Sequence, residues 1–275
     1  MNPMQAPASD AAFAGSIPEL YERHLVPMLF AWYADDLATR VAALAPASVL
    51  ELACGTGVVT RRLADALPAT TPIVATDLNQ AMLDQAQAIG TSRTVAWRQA
   101  DAQAPPFADG AFDVVACQFG VMFFPDRPGA FAQARRVLQP GGTLVFSVWD
   151  AIVHNEFADV AAQALARMFP DDPPRFMART PHGYHDVDAI RRDLALGGFA
   201  ATPRIDTVAA RGDAASAMDA AVAYCQGTPL RGEIEARGPG RLVESTAAVA
   251  RALAERFGNG AISGRIQARI VTVTS

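Results

Sequence analysis

From Ser48 to Val148 the apolar residues fall in short unbroken runs rather than in strict alternation. Runs of this length, divided by amphipathic stretches, read as strands buried on both faces of a parallel sheet with helices on either side. The order they predict is strand, helix, strand, helix, strand, strand, helix, strand. Upstream, Leu20, Leu25, Leu29 and Trp32 recur at three- to five-residue intervals across 17–45. That spacing predicts helix, which Pro27 is expected to divide in two. Downstream, 155–169 reads as a helix, 170–174 as a proline-rich break and 179–185 as a polar loop. Asp186 then caps a helix that closes on Gly197-Gly198. Alternation predicts strands over 202–209 and 265–274, with two amphipathic helices between them at 214–225 and 241–257.

The segment Val49-Leu50-Glu51-Leu52-Ala53-Cys54-Gly55-Thr56-Gly57 is the most informative. It reads as a buried strand ending in an acid, a glycine turn and then a helix over 58–67. Glycine lets backbone N–H groups approach a ligand, and the helix N-terminus adds partial positive charge. A second apolar strand over 72–76 ends in Asp77, twenty positions after Gly57. An acid there can accept both hydroxyls of a ribose, so the pair points to an adenosine-containing cofactor at the carboxyl ends of parallel strands. The dinucleotide fingerprint requires a third glycine, and Thr60 stands there instead. Glu51 would also suit an ammonium better than a diphosphate.

The run resembles motif I of the class I S-adenosylmethionine-dependent methyltransferases, E/D-x-G-x-G-x-G, with Ala53 in place of the first glycine. Three further pieces follow in that family's order. Ala100-Asp101-Ala102 closes a third strand, and 107–115 leads into a fourth that ends near Cys117-Gln118-Phe119-Gly120. Arg136 to Phe146 then gives helix end, turn and fifth strand, with Pro140 stopping the helix and Gly141-Gly142 expected to supply positive φ. The resemblance is closest to the branch that includes ubiquinone and menaquinone C-methyltransferases, and is strong over roughly 45–150.

It implies an α/β fold: a Rossmann-like, doubly wound, seven-stranded sheet, mostly parallel with an antiparallel last strand, plus a helical cap. It implies S-adenosylmethionine as cofactor. Carried over by position, Glu51, Ala53, Cys54, Gly55 and Gly57 surround its methionine moiety and Asp77 holds the ribose. Leu78 and Met82 flank the adenine, Asp101 and Ala102 meet its amino edge, and Gln118 and Phe119 return to the methionine end. The expected organisation is N-terminal helices over 1–45, a cofactor-binding core over 46–150, and a C-terminal half over 151–275. Cap insertions are expected at 151–185 and 212–260.

Composition narrows the partners. The chain has 275 residues, 51% of them hydrophobic, and a net charge of 23 − 28 = −5. It contains no lysine, so no lysine can serve as base or Schiff-base former. A mildly acidic chain without a basic stripe argues against a nucleic-acid substrate. No apolar run reaches the ~18 residues of a membrane span, and residues 1–16 read as a frayed tail without the features of a signal peptide. Three scattered cysteines offer neither a metal-ligand spacing nor a disulfide framework, so no metal is expected and a reducing cytoplasm is the natural location.

The expected function is transfer of a methyl group to a small, partly apolar metabolite. A non-catalytic S-adenosylmethionine-binding protein and an NAD(P)-dependent oxidoreductase are the alternatives. Transfer from a sulfonium needs alignment above all, and a general base only where the acceptor must lose a proton. Of the four histidines, His24 and His154 are the candidate bases by position, ahead of His182 and His185. Phe30, Trp32, Phe119, Phe123 and Phe124 are candidates to line an apolar acceptor pocket, and Arg175, Arg179 and Arg231 to recognise an acid.

Overall fold

The structure, a computed structural model, describes residues 8–275. The N-terminal helical run comprises α1 (Ile17–Leu20), a π-helical segment over Tyr21–Phe30 and α2 (Ala31–Ala43). There follow β1 (Val49–Glu51), α3 (Val58–Ala66), β2 (Ile73–Asp77), α4 (Gln80–Ile89), β3 (Ala96–Gln99), β4 (Phe112–Gln118), α5 (Arg127–Val137) and β5 (Leu138–Trp149). Next come α6 (Glu156–Met168), α7 (Phe176–Arg179), α8 (Val187–Leu196) and β6 (Arg204–Ala214). The chain closes with α9 (Ala217–Gln226), α10 (Leu230–Glu235), α11 (Arg241–Phe257) and β7 (Ile262–Thr274).

The seven strands form one sheet in the order β3-β2-β1-β4-β5-β7-β6. β7 runs antiparallel to both its neighbours, and the remaining pairings are parallel. The unbroken apolar runs are explained by this arrangement. Val49, Leu50, Val115, Ala116, Val145 and Phe146 are completely buried, because helices cover both faces of the central strands. The direction of winding reverses between β1 and β4, which opens a crevice at their carboxyl ends.

Three expectations are corrected. Pro27 does not divide the N-terminal helix: it sits inside the π-helical segment, and the helical backbone continues from Ile17 to Ala43. A wider turn displaces the carbonyl that the proline ring would strike in an α-helix, so the missing donor is accommodated without a break. Three helices, not two, lie between β6 and β7, since the six-residue α10 is too short for its period to be read. Of the paired glycines only Gly141 has a positive φ, +80°. Gly142 is required by space instead, as a Cβ there would lie 2.9 Å from the carbonyl oxygens of both Asp113 and Gln139.

The helical run is fixed to the far edge of the sheet. The Tyr33 hydroxyl donates to the Val208 carbonyl of β6 at 3.0 Å, and Tyr33 is completely buried. Gly212 of β6 lies so close beneath the helix that a Cβ would sit 2.7 Å from the Met28 carbonyl oxygen. Among the described residues, no helix is long and apolar enough to cross a membrane.

Candidate functional site

The carboxyl ends of β1, β2 and β4 open on a cavity of about 340 Å³. Its floor is the turn after β1. Gly57 starts α3 with φ +83°, and a Cβ there would lie 3.0 Å from the Trp97 ring, so both backbone and space demand glycine. Ala53 adopts φ +52° and Phe119, just after β4, φ +51°. Left-handed conformations cost non-glycine residues about 1–2 kcal/mol each, and here they flank the crevice where the winding reverses. Between them Gly120 leaves no room: a Cβ would lie 2.6 Å from the Ala53 Cβ and 2.7 Å from the Cys117 Sγ.

Asp77 ends β2 at the wall of the cavity and is 6% exposed. One carboxylate oxygen accepts from the Gly55 N–H at 2.8 Å and the other from the Asn79 N–H at 2.8 Å. Burial still holds its pKa above the usual carboxylate range, against these bonds. Glu51 is 1% exposed and does not line the cavity. Its carboxylate accepts from the Thr60 hydroxyl at 2.6 Å. Burial pushes it up to about 8 from an ordinary 4.5, with the Thr60 bond acting in the opposite sense. The folded protein therefore keeps a proton that the unfolded chain releases, and stability falls as pH rises from about 4.5 to about 8. Glu51→Gln, which retains an acceptor for Thr60, is expected to flatten that part of the Tm–pH profile and raise Tm most at pH 8 and above. A profile parallel to wild type would contradict the assignment.

Beyond the turn the cavity is aromatic. Phe119 stacks on Trp149 with ring centroids 3.8 Å apart and planes 7° from parallel, and Tyr21 stacks on Phe30 at 5.0 Å. Phe123, Phe124 and Phe176 complete this wall. Among the described residues, no arginine lines it. Arg231 pairs with Glu235 at 2.8 Å and Arg179 with Asp10 and Glu233, both at 2.7 Å.

Residues 8–13, expected to fray with the rest of the tail, form instead a strap over the cavity, which Ala11 and Phe13 line. Asn79 accepts from the Phe13 N–H at 3.2 Å and donates to the Ala11 carbonyl at 3.1 Å. At the other side Asp10, 4% exposed, accepts from Arg179 through both its oxygens and from the Thr180 hydroxyl. Residues 1–7 lie outside the described part. Removing one partner of a buried ion pair costs about 3–5 kcal/mol. The Asn79 bonds and the Phe13 ring packed on Tyr21 and Phe123 hold only the other end of the strap, so release around Asp10 is the easier response. Arg179→Ala is expected to speed hydrogen exchange over 8–13 while leaving the sheet protected. Unchanged exchange there would show that the strap is held by its other contacts.

Comparison with known proteins follows the same lines. A family profile described as a methyltransferase domain matches residues 50–146. A ubiquinone/menaquinone biosynthesis C-methyltransferase from Saccharophagus degradans is 30% identical over 167 residues, 56% of this chain and 67% of that protein. The chain belongs to the class I S-adenosylmethionine-dependent methyltransferases. The C-methyltransferase of the same name from Ectopseudomonas mendocina is 39% identical over 164 residues, 55% of this chain and 64% of the relative. The matches thus span about two thirds of these relatives' lengths. The YcgJ protein from Bacillus subtilis shares the fold, with a TM-score of 0.56 and 16% identity over 89% of this chain and 98% of its own.

The cofactor of this methyltransferase family is S-adenosylmethionine. Of the positions carried over from motif I and its successors, Ala53, Gly55, Asp77, Leu78, Met82, Asp101, Ala102, Gln118 and Phe119 all line the one cavity. Glu51, Cys54 and Gly57 lie outside its lining. Gln118 donates to the Phe30 carbonyl at 3.2 Å, while its Oε1 is buried without a partner. The two histidines favoured by position are also outside the lining. His24 turns its Nδ1 to within 3.7 Å of the Asp219 carboxylate, and His154 ends a short helical turn after β5. Trp32 is 47% exposed and faces away from the cavity that the other four aromatic candidates line. His182, Trp149, Tyr224 and the strap are the parts of the wall that sequence reasoning missed or placed lower. Asp10 and Phe13, in a tail otherwise rich in alanine and proline, were its only signal for the strap.

Proposed function

We propose that this protein transfers a methyl group from S-adenosylmethionine to a small, at least partly apolar acceptor held under a helical cap. One observation carries the reading: a single cavity joins the glycine turn and Asp77 to an aromatic chamber free of arginine. The relatives named as ubiquinone/menaquinone C-methyltransferases support an acceptor of this kind.

The residues present fit the cofactor. Asp77 offers the acceptor a ribose diol needs, and Leu78 and Met82 offer apolar flanks for an adenine. Asp101 is exposed, with one carboxylate oxygen accepting from the Gln103 N–H at 2.8 Å and the other left for an exocyclic amine. Gln118 lines the same cavity, its side-chain amide held by the Phe30 carbonyl at 3.2 Å, and in this reading it stands beside the methionine end. Glu51, Cys54 and Gly57 act from behind the lining, shaping the turn. Bound there, S-adenosylmethionine supplies an electrophilic methyl carbon on a sulfonium.

The chain's own contribution is alignment and exclusion of water. Tyr21, Phe30, Phe119 and Trp149 form a closely packed wall that restricts where an apolar acceptor can sit. The cap in this reading consists of 1–45, 151–185 and 212–260 around a core over 46–150. Its support is that Tyr21, Phe176 and Tyr224, one from each segment, all line the cavity. The test is incubation with S-adenosylmethionine labelled in the methyl group and an extract of the source cells that retains protein, nucleic acid and metabolites. Label is expected in a solvent-extractable compound below 1 kDa, on the order of a metabolite's size. Label confined to protein or nucleic acid would overturn the reading.

A further inference from the structure

We propose that His182 is the residue that reads the methyl acceptor, its Nε2 accepting a hydrogen bond from an O–H or N–H group on an otherwise apolar, ring-bearing molecule. The proposal rests on the function proposed above and adds to it the chemistry by which the acceptor is recognised.

The ring is locked. His182 Nδ1 lies 2.8 Å from the backbone carbonyl oxygen of Asp150, just after β5. A carbonyl can only accept, so Nδ1 carries the proton and Nε2 keeps its lone pair. The backbone is held too, since the His182 N–H donates to the Met177 carbonyl at 3.0 Å. The carboxylate of Asp150 is itself tied to the Ala151 N–H at 2.8 Å and to Arg269 at 3.1 Å, so the anchoring residue does not swing. Beside it the Trp149 ring lies 6.1 Å away, centroid to centroid.

Nε2 is the opposite case. It has no partner among the described residues, yet it is absent from the polar atoms sealed without one, and His182 lines the cavity. The lone pair therefore opens on the acceptor chamber. The Tyr224 hydroxyl of α9 is in the same situation, without a described partner at the same cavity. The Tyr21 hydroxyl lines the cavity in the same way, beside the glycine turn, with its ring stacked on Phe30, while Asn155 and Thr228 are already committed to the Gln267 backbone and to the Tyr224 carbonyl. With no arginine in the lining, nothing attracts an acid, and a lone pair repels one. What remains is a neutral donor. Burial, with the His185 ring as a lesser influence, pushes the His182 imidazole down to about 4 against the pull of Asp150, so it stays neutral across the physiological range. A site of this kind favours a molecule that brings a donor over an isostere that lacks one, because otherwise a buried acceptor is left unpaired.

The test uses the full chain saturated with S-adenosylhomocysteine, titrated with 4-propylphenol and with its methyl ether, 4-propylanisole. The wild type is expected to bind the phenol about tenfold more tightly than the ether. His182→Asn retains an N–H for the Asp150 carbonyl and removes the Nε2 acceptor. It is expected to abolish the preference without changing Tm or affinity for S-adenosylhomocysteine. Tyr224→Phe is expected to keep the preference. In ¹⁵N spectra of the wild type, the His182 Nε2 resonance is expected to move on addition of the phenol and not of the ether, which decides the matter even if the variant does not fold. No preference in the wild type, a preference surviving His182→Asn, or a preference lost only in Tyr224→Phe would each overturn the proposal. Failure of S-adenosylhomocysteine to bind would instead count against the function on which it rests.

Discussion

Asp77→Ala is expected to weaken binding of S-adenosylhomocysteine about 10- to 150-fold, the equivalent of losing about 1.5–3 kcal/mol of hydrogen bonding to a charged group. Two losses combine in that figure. The ribose loses its carboxylate, and the Gly55 and Asn79 N–H groups lose the acceptor that fixes the turn and the start of α4. Asp77→Asn separates them, since the amide keeps one acceptor oxygen but cannot accept from both sides. Its affinity is expected to fall between the wild type and the alanine variant. Calorimetric titration of the three proteins measures the series. Equal affinities with the fold intact would remove Asp77 from the site.

Trp149→Ala is expected to lower folding stability by about 3–5 kcal/mol, the usual cost of truncating a buried large aromatic. Trp149 is 5% exposed and touches Phe119 face to face at 3.8 Å, with Tyr33 and Phe30 closing on it at 5.5 and 5.9 Å. Its removal leaves a void against a residue, Phe119, already held in a left-handed conformation. Trp149→Phe keeps a ring to stack and is expected to cost less than half as much. Urea unfolding curves for the two variants give the comparison. A midpoint shift in the alanine variant worth under about 1 kcal/mol would show that the stack is dispensable.

The cofactor end was legible in the sequence because its geometry is local. Strand, glycine turn and helix follow one another directly, and the spacing from Gly57 to Asp77 is that of one β-α-β crossover. Each such residue is placed by its own segment. The acceptor end was much less legible, for the opposite reason. His182 is defined by a carbonyl 32 positions earlier, and nothing in its neighbours reveals that bond. Tyr21, Leu25, Leu29 and Phe30, on the same helical run as His24, line the cavity, whereas His24 does not. Sequence spacing does not resolve which face His24 occupies, because a π-helical segment shifts the facing of residues that a 3.6-residue period would assign. The strap illustrates the same limit, since Asp10 is held by Arg179 and Thr180 from beyond the sheet's first five strands.

In the function proposed above, this turn and this acid hold S-adenosylmethionine rather than a dinucleotide. Titration of the purified chain with S-adenosylmethionine and, separately, with NADH tests it most directly. One S-adenosylmethionine bound per chain, with binding weakened by Asp77→Ala and no heat from NADH, is the result the account predicts. Tight NADH binding sensitive to the same substitution, with none for the sulfonium, would contradict it.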